Sequence, residues 1–161
     1  MFNFFKKKNK GVEMAAAVSG DAMPITDVKD DVFSTKMLGD GYAIKPSDGE
    51  IVAPIDGEIT TLFPTKHAIG ITTDKGLEIL IHLGLDTVEL KGEPFEVKVQ
   101  KGAKVKKGDS LAQMDIDAIT DKGYDNTVIV VYTNMDVLSS VSAIEPKAIT
   151  RGEDIQVIEY K

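Results

Sequence analysis

The chain has 161 residues, enough for one domain with a real core, and its 26 acidic against 19 basic side chains give a formal charge of −7. That sign repels phosphate backbones and argues against nucleic-acid binding. Cysteine is absent, which removes disulfides, thiolate zinc sites and cysteine nucleophiles, and leaves His67 and His82 as the whole supply of imidazole.

In chain order, residues 1–20 read as a flexible basic and aromatic tail. Phe2, Phe4 and Phe5 stand beside Lys6, Lys7, Lys8 and Lys10, a composition that stays solvated and can rest weakly on an anionic membrane surface. Aromatics before lysines reverse the order of a secretory signal, and the apolar run Met14–Val18 is too short to span a bilayer. A cytoplasmic protein is expected, with residues 21–161 forming a single domain. From Gly39 onward glycines recur at short intervals, and strand-length apolar or β-branched runs lie between them: 50–53, 58–63, 68–73, 77–83, 95–100, 110–114, 127–132 and 154–160. Two short helices are expected over 116–122 and 134–140. The fold class this predicts is all-β, an antiparallel sandwich or barrel with a few short helices, and not a doubly wound nucleotide-binding sheet. Asp48-Gly49-Glu50-Ile51 returns as Asp56-Gly57-Glu58-Ile59, with Pro54 between. The echo predicts two tight turns at positive φ, each opening a strand, and a corner at the proline.

Several catalytic motifs fail on their context. Gly39-Asp40-Gly41 has no third glycine opening a helix, and no glycine-lysine-serine or -threonine run marks a P-loop. Ser110 in Gly108-Asp109-Ser110-Leu111 has no histidine downstream of it. Asp115-Ile116-Asp117 lacks the remainder of a calcium loop.

The two histidines end the strands of one predicted hairpin, around Asp74-Lys75-Gly76. A two-residue loop would place His67 directly opposite His82. A three-residue loop with Gly76 at positive φ would instead match Ile69 with Ile81 and Ile71 with Ile79, setting the histidines on opposite faces unless a bulge rejoined them. Both registers bring the rings to one end of the hairpin, and the pattern leaves the choice open. Two imidazoles are too few for a metal site without a carboxylate, and a serine-type triad would use only one of them. A phosphoryl relay uses both, one nitrogen attacking phosphorus while the neighbouring ring hydrogen-bonds the equatorial oxygens. Ordinary polar residues at strand ends are the other reading of the same pattern.

The local sequence adds a resemblance. Thr65-Lys66-His67-Ala68-Ile69, followed by Ile79-Leu80-Ile81-His82-Leu83-Gly84-Leu85-Asp86-Thr87-Val88-Glu89-Leu90, closely resembles the glucose-type enzyme IIA component of the bacterial phosphoenolpyruvate-dependent sugar phosphotransferase system. Gly39–Pro46, Val52–Gly57, Lys91-Gly92-Glu93, Val105–Asp109 and Asn134-Met135-Asp136 resemble it too, so the likeness covers about residues 25–160. It implies a β-sandwich with duplicated hybrid, barrel-sandwich character. It implies that His82 is phosphorylated at Nε2, that His67 is needed to pass the phosphate on, and that Thr65 orients His67. The implied partners are the histidine phosphocarrier protein as donor and the IIB domain of a sugar permease, glucose by name, as acceptor, with regulation of other transporters or kinases through phosphorylation state. Phe63, Ile69, Ile81, Leu83 and Val88, with Asp86, resemble a collar that would dock partners and exclude water. No cofactor is implied as a requirement, although the resemblance allows a Zn2+ bridging His67 and His82 with a partner's carboxylate. Two other classes share pieces of the pattern. A biotinyl or lipoyl carrier would need a lysine at the hairpin tip after Met114, and a zinc peptidase would need a His-x-His pair; neither is present.

Overall fold

The structure, a computed structural model, describes residues 11–161. In chain order the strands are β1 (Gly11–Ala15), β2 (Gly20–Pro24), β3 (Gly41–Pro46), β4 (Glu50–Val52), β5 (Gly57–Leu62), β6 (Ala68–Thr72) and β7 (Glu78–Leu83). They continue as β8 (Phe95–Val97), β9 (Lys104–Val105), β10 (Ser110–Met114), β11 (Val128–Tyr132), β12 (Leu138–Val141), β13 (Lys147–Ile149) and β14 (Asp154–Tyr160). The α-helices are short, α1 (Asp31–Ser34) and α2 (Ile116–Asp121). An eight-stranded antiparallel sheet runs β13-β2-β3-β11-β7-β6-β5-β9, and two three-stranded sheets, β1-β14-β12 and β4-β10-β8, complete the fold. The all-β antiparallel class is as expected.

β11 explains how the large sheet is buried. Its sequence, Val-Ile-Val-Val-Tyr, is apolar without alternation, and every residue is fully buried. Such a strand must be covered on both faces. Val128, Val130 and Tyr132 join the main core, while Ile129 and Val131 join a second cluster with Ala43, Leu85, Ile25, Val28 and Phe33. The segment that supplies Ile25, Val28 and Phe33, including α1, therefore lies over the outer face of the sheet. His82 pairs with Ile129 across the ladder, so it emerges on this second face.

Three expectations need correction. Residues 1–10 of the expected tail lie outside the described residues, but 11–20 are not tail: β1 pairs with β14, and Met14 through Val18 are fully buried. The buried Tyr42 hydroxyl pins this stretch, donating to the Ala15 carbonyl at 2.8 Å and accepting from Ala17 N–H at 3.1 Å. Residues 134–140 form a single 3-10 turn, Met135–Val137, and then β12, because the free edge of β14 offers Leu138–Val141 a ladder. Gly49 and Gly57 are not at positive φ. They are needed for close approach: a Cβ at Gly49 would lie 1.8 Å from the Met114 carbonyl oxygen, and one at Gly57 would lie 2.6 Å from Ile71 Cγ2.

Candidate functional site

β6 and β7 adopt the three-residue register. Ile69 pairs with Ile81, Ile71 with Ile79, and Ala68, not His67, faces His82. Gly76 closes the loop at φ +90°, donating its N–H to the Thr73 carbonyl at 2.9 Å. Strand alternation would then separate the rings, yet their centroids are 5.2 Å apart at 75°. No bulge in β6 or β7 accounts for this. β6 begins at Ala68, and His67 lies in the bend before it, just after Lys66 at φ +62°. Outside the pleat, its side chain is not bound to the opposite face, although its carbonyl still accepts from Leu83 N–H at 2.7 Å.

Each ring is held through Nδ1. The His82 Nδ1–H donates to the Gly84 carbonyl at 2.6 Å; a carbonyl can only accept, so the neutral ring carries its lone pair on Nε2. Gly84 is at φ +85°, and a Cβ there would lie 2.5 Å from Thr87 Cγ2, so this carbonyl is aimed by a backbone only glycine adopts easily. Thr87, fully buried, steadies the same turn by donating its hydroxyl to the Leu83 carbonyl at 2.6 Å. His67 Nδ1 shares a hydrogen bond of 2.6 Å with Thr65 Oγ1. When the hydroxyl donates, the proton of neutral His67 sits on Nε2, where it can serve an anionic oxygen.

Burial lowers the pKa of both histidines below the ordinary 6.5. For His82, burial is the largest cause; the Gly84 carbonyl opposes it, the His67 charge adds to it, and the Asp30 and Asp86 carboxylates oppose it again. Near neutral pH the pair is therefore uncharged, the state a nucleophilic imidazole requires.

The surroundings differ from the expected collar. Ile69, Ile81 and Leu83 are fully buried in the main core, where no docking partner reaches them. They are consecutive inward positions of the two strands, and the core takes precedence. Phe63 is half-buried and packs on His67, centroids 5.1 Å apart at 59°, while Val88 is 45% exposed and Asp86 is exposed. Sequence reasoning missed Phe33, whose ring lies 5.2 Å from His82 at 63°. It also missed Asp30, which caps α1 by accepting Val32 N–H at 2.9 Å and adds negative charge near His82. The aspartate before Val32-Phe33 is a legible N-cap, but nothing local says that this turn reaches the histidines. Within and just after α1, Val32, Met37 and Leu38 are exposed apolar side chains, Met37 at 72%.

Among the described residues, no group of three or more His, Cys, Asp or Glu side chains is arranged to hold a metal ion. The two imidazoles offer two nitrogens only, so the residues do not fit a resident metal. None of the described helices is long and apolar enough to cross a membrane.

Residues 12–138 match the family described as phosphoenolpyruvate-dependent sugar phosphotransferase system, EIIA 1. The glucose-specific EIIA component of Staphylococcus epidermidis is 39% identical over 159 residues, 99% of this chain and 95% of that protein. The glucose-specific EIICBA component of Streptococcus pneumoniae is 48% identical over 129 residues, and there the matched part is only 18% of the longer protein. In three dimensions the chain is similar to glucose permease IIA from Mycoplasma capricolum, with a TM-score of 0.86, 35% identity, and coverage of 93% of this chain and 97% of that one.

Proposed function

This chain belongs to the EIIA 1 family of the phosphoenolpyruvate-dependent sugar phosphotransferase system, and we propose that it is a phosphoryl carrier using His82 as its nucleophile. The Nε2 lone pair attacks the phosphorus of a phosphohistidine on the phosphocarrier protein. The new N–P bond forms as the donor's N–P bond breaks and its electron pair returns to the donor ring. In the second half-reaction the phosphoryl group leaves for a cysteine thiolate of a permease IIB domain, glucose being the sugar named for the relatives. His67, held by Thr65, places an N–H beside the equatorial oxygens and stabilises charge as the bond to His82 loosens. The phosphotransfer unit includes residues 11–20, paired and buried with the rest, and works in the cytoplasm within reach of a membrane permease.

The observation that carries this reading is the 2.6 Å bond from His82 Nδ1–H to the Gly84 carbonyl, which leaves Nε2 unprotonated with a second imidazole 5.2 Å away. The lipoyl or biotinyl alternative is not favoured, since β10 runs from Met114 into Asp115, the cap of α2, and not into a lysine-tipped hairpin. A zinc ion shared with a partner's carboxylate would occupy the same Nε2 atoms and so would compete with phosphate. Intact-mass measurement after incubation with phosphoenolpyruvate, enzyme I and the phosphocarrier tests the assignment. The wild type and His67→Gln should each gain one phosphoryl group and His82→Gln none; a phosphoryl group on His82→Gln overturns it.

A further inference from the structure

The carrier reading assigns no task to Phe33, yet its ring is the aromatic neighbour of His82 that comes from outside the hairpin. One hydrogen bond, from Nδ1 to Gly84, hinges the imidazole at a single atom. The terminal torsion of a histidine is broad, so whenever that bond stretches or breaks the ring turns about Cβ–Cγ and carries Nε2 with it. Two rings bound that swing: His67 at 5.2 Å and 75°, and Phe33 at 5.2 Å and 63°, both within the range of edge-to-face aromatic pairs.

Phe33 is the better anchored of the two. It is 5% exposed, fixed among Ile25, Val28, Leu85, Ile129 and Val131 on the outer face of the sheet. Its helix is only four residues long, but Asp30 ties the start down: its carboxylate accepts Val32 N–H at 2.9 Å, and its carbonyl accepts from Phe33 N–H at 3.1 Å and Ser34 N–H at 2.9 Å. His67, by contrast, sits in the bend before β6; its carbonyl accepts from Leu83 N–H, but its ring is held by the single hydrogen bond shared with Thr65 Oγ1.

We propose that Phe33 is a positioning residue, holding the His82 ring in the orientation from which Nε2 meets phosphorus; this rests on the carrier reading above. Phe33 is 5% exposed and its ring meets that of His82. It acts through the imidazole, by restricting its swing and by keeping water from the Nδ1–H bond. A flat ring at this position does both, whereas an aliphatic side chain of similar volume only fills the space.

Phe33→Leu and Phe33→Tyr in the full chain separate this role from docking and from simple packing. Charging by the phosphorylated phosphocarrier gives kcat and KM, and nitrogen-15 NMR of the uncharged protein gives the His82 tautomer and the exchange of its Nδ1 proton. Phe33→Leu should lower kcat about tenfold at nearly unchanged KM, the cost of a slightly misaimed nucleophile. It should also speed exchange of the His82 Nδ1 proton, and Phe33→Tyr, which keeps the ring, should restore both. Should the leucine variant fail to fold, Phe33→Met supplies the same readouts without a flat ring. A raised KM with unchanged kcat and unchanged His82 signals makes Phe33 a docking residue and overturns the proposal. So does equal loss in the leucine and tyrosine variants. A wild-type protein that never charges overturns the carrier reading instead, while the His82 signals still decide the role of Phe33.

Discussion

His67 and His82 meet edge to face at 5.2 Å although the ladder that carries His82 pairs it with Ala68. The meeting depends on where β6 begins. One more residue of regular strand would turn His67 to the opposite face, so the site is built on the break and not on the hairpin. Lys66, at φ +62°, sits at that break; Asp86 at φ +60° and Lys91 at φ +57° flank the 3-10 turn, Thr87–Leu90, that follows His82. Non-glycine residues in the left-handed region carry strain, and three of the four among the described residues, all but Lys36, lie in the segments that flank the histidines.

Relief of that strain is measurable. Lys66→Gly should raise stability by about 0.5–1 kcal/mol, the left-handed penalty of lysine less the extra unfolded freedom of glycine. Lys66→Val, whose branched side chain suits that region least, should lower it. Urea denaturation of the two variants gives both signs; a destabilised glycine variant would show that Lys66 holds the bend by contacts of its side chain.

Gly84→Ala should damage the site from beneath. The new methyl would meet Thr87 Cγ2 at 2.5 Å and the Asp125 carbonyl oxygen at 3.0 Å, at a φ that alanine resists. A loss of about 1–3 kcal/mol is expected from strain of this kind. The His82 Nδ1 proton should lose its protection against exchange at the same time, because the carbonyl that accepts it moves. Unchanged exchange in a destabilised variant would separate the fold from the histidine.

Acid should weaken the fold through the histidine pair. Each folded-state pKa lies below the ordinary 6.5, chiefly because burial disfavours the imidazolium. The unfolded chain then binds protons that the folded chain refuses. The contribution is fully present above pH 6.5 and is lost as the pH falls from there through the folded-state values. Proton NMR should give both titration midpoints below 6.5, and His82→Gln should flatten the fall in thermal stability over that window. Midpoints above 6.5 would refute the account.

How much of this was legible in the sequence differs from element to element. β10 and β14 were found to the residue, since glycine-flanked apolar runs declare themselves. β6 and β7 were found to within a residue, and the correct register was one of two readings of the Asp74-Lys75-Gly76 loop. β2 and β13 were not found: Gly20–Pro24 and Lys147–Ile149 carry little strand pattern, and they pair because β3 offers an edge to β2 and β2 in turn to β13. The histidines were legible as residue types at a spacing, and Thr65 through the family resemblance. Phe33 was not, because the contact joins residues 49 apart in the chain, across two elements with no local sequence relation.

A buried polar centre ties the sheets together far along β11 from His82. Gln156, on β14, is 4% exposed and has each polar atom satisfied. Its Oε1 accepts the Tyr132 hydroxyl at 2.6 Å, and its Nε2 donates to the Gly41 carbonyl at 3.0 Å and the Ser142 carbonyl at 2.9 Å. The side chain thus ties β14 to β3, to β11 and to the residue after β12. Burial pushes the Tyr132 phenol well above its ordinary pKa, so that hydroxyl is a donor at neutral pH. Gln156→Leu keeps the approximate volume and strands one hydroxyl and two carbonyls, which should cost about 2–4 kcal/mol, since each buried unpaired group costs about 1–3 kcal/mol and part is recovered by relaxation. Adding Tyr132→Phe removes the stranded hydroxyl, so the double variant should be less destabilised than the sum of the two single ones by about 0.5–2 kcal/mol. Strict additivity in urea denaturation would mean that the hydroxyl and the amide do not work as a pair. Tyr132 pairs with Ile79 at one end of the β7–β11 ladder and Val128 with Leu83, beside His82, at the other. The folded Gln156→Leu protein should therefore still charge at the wild-type rate, and a charging defect larger than its unfolded fraction would show that this polar centre also sets the geometry of the histidines.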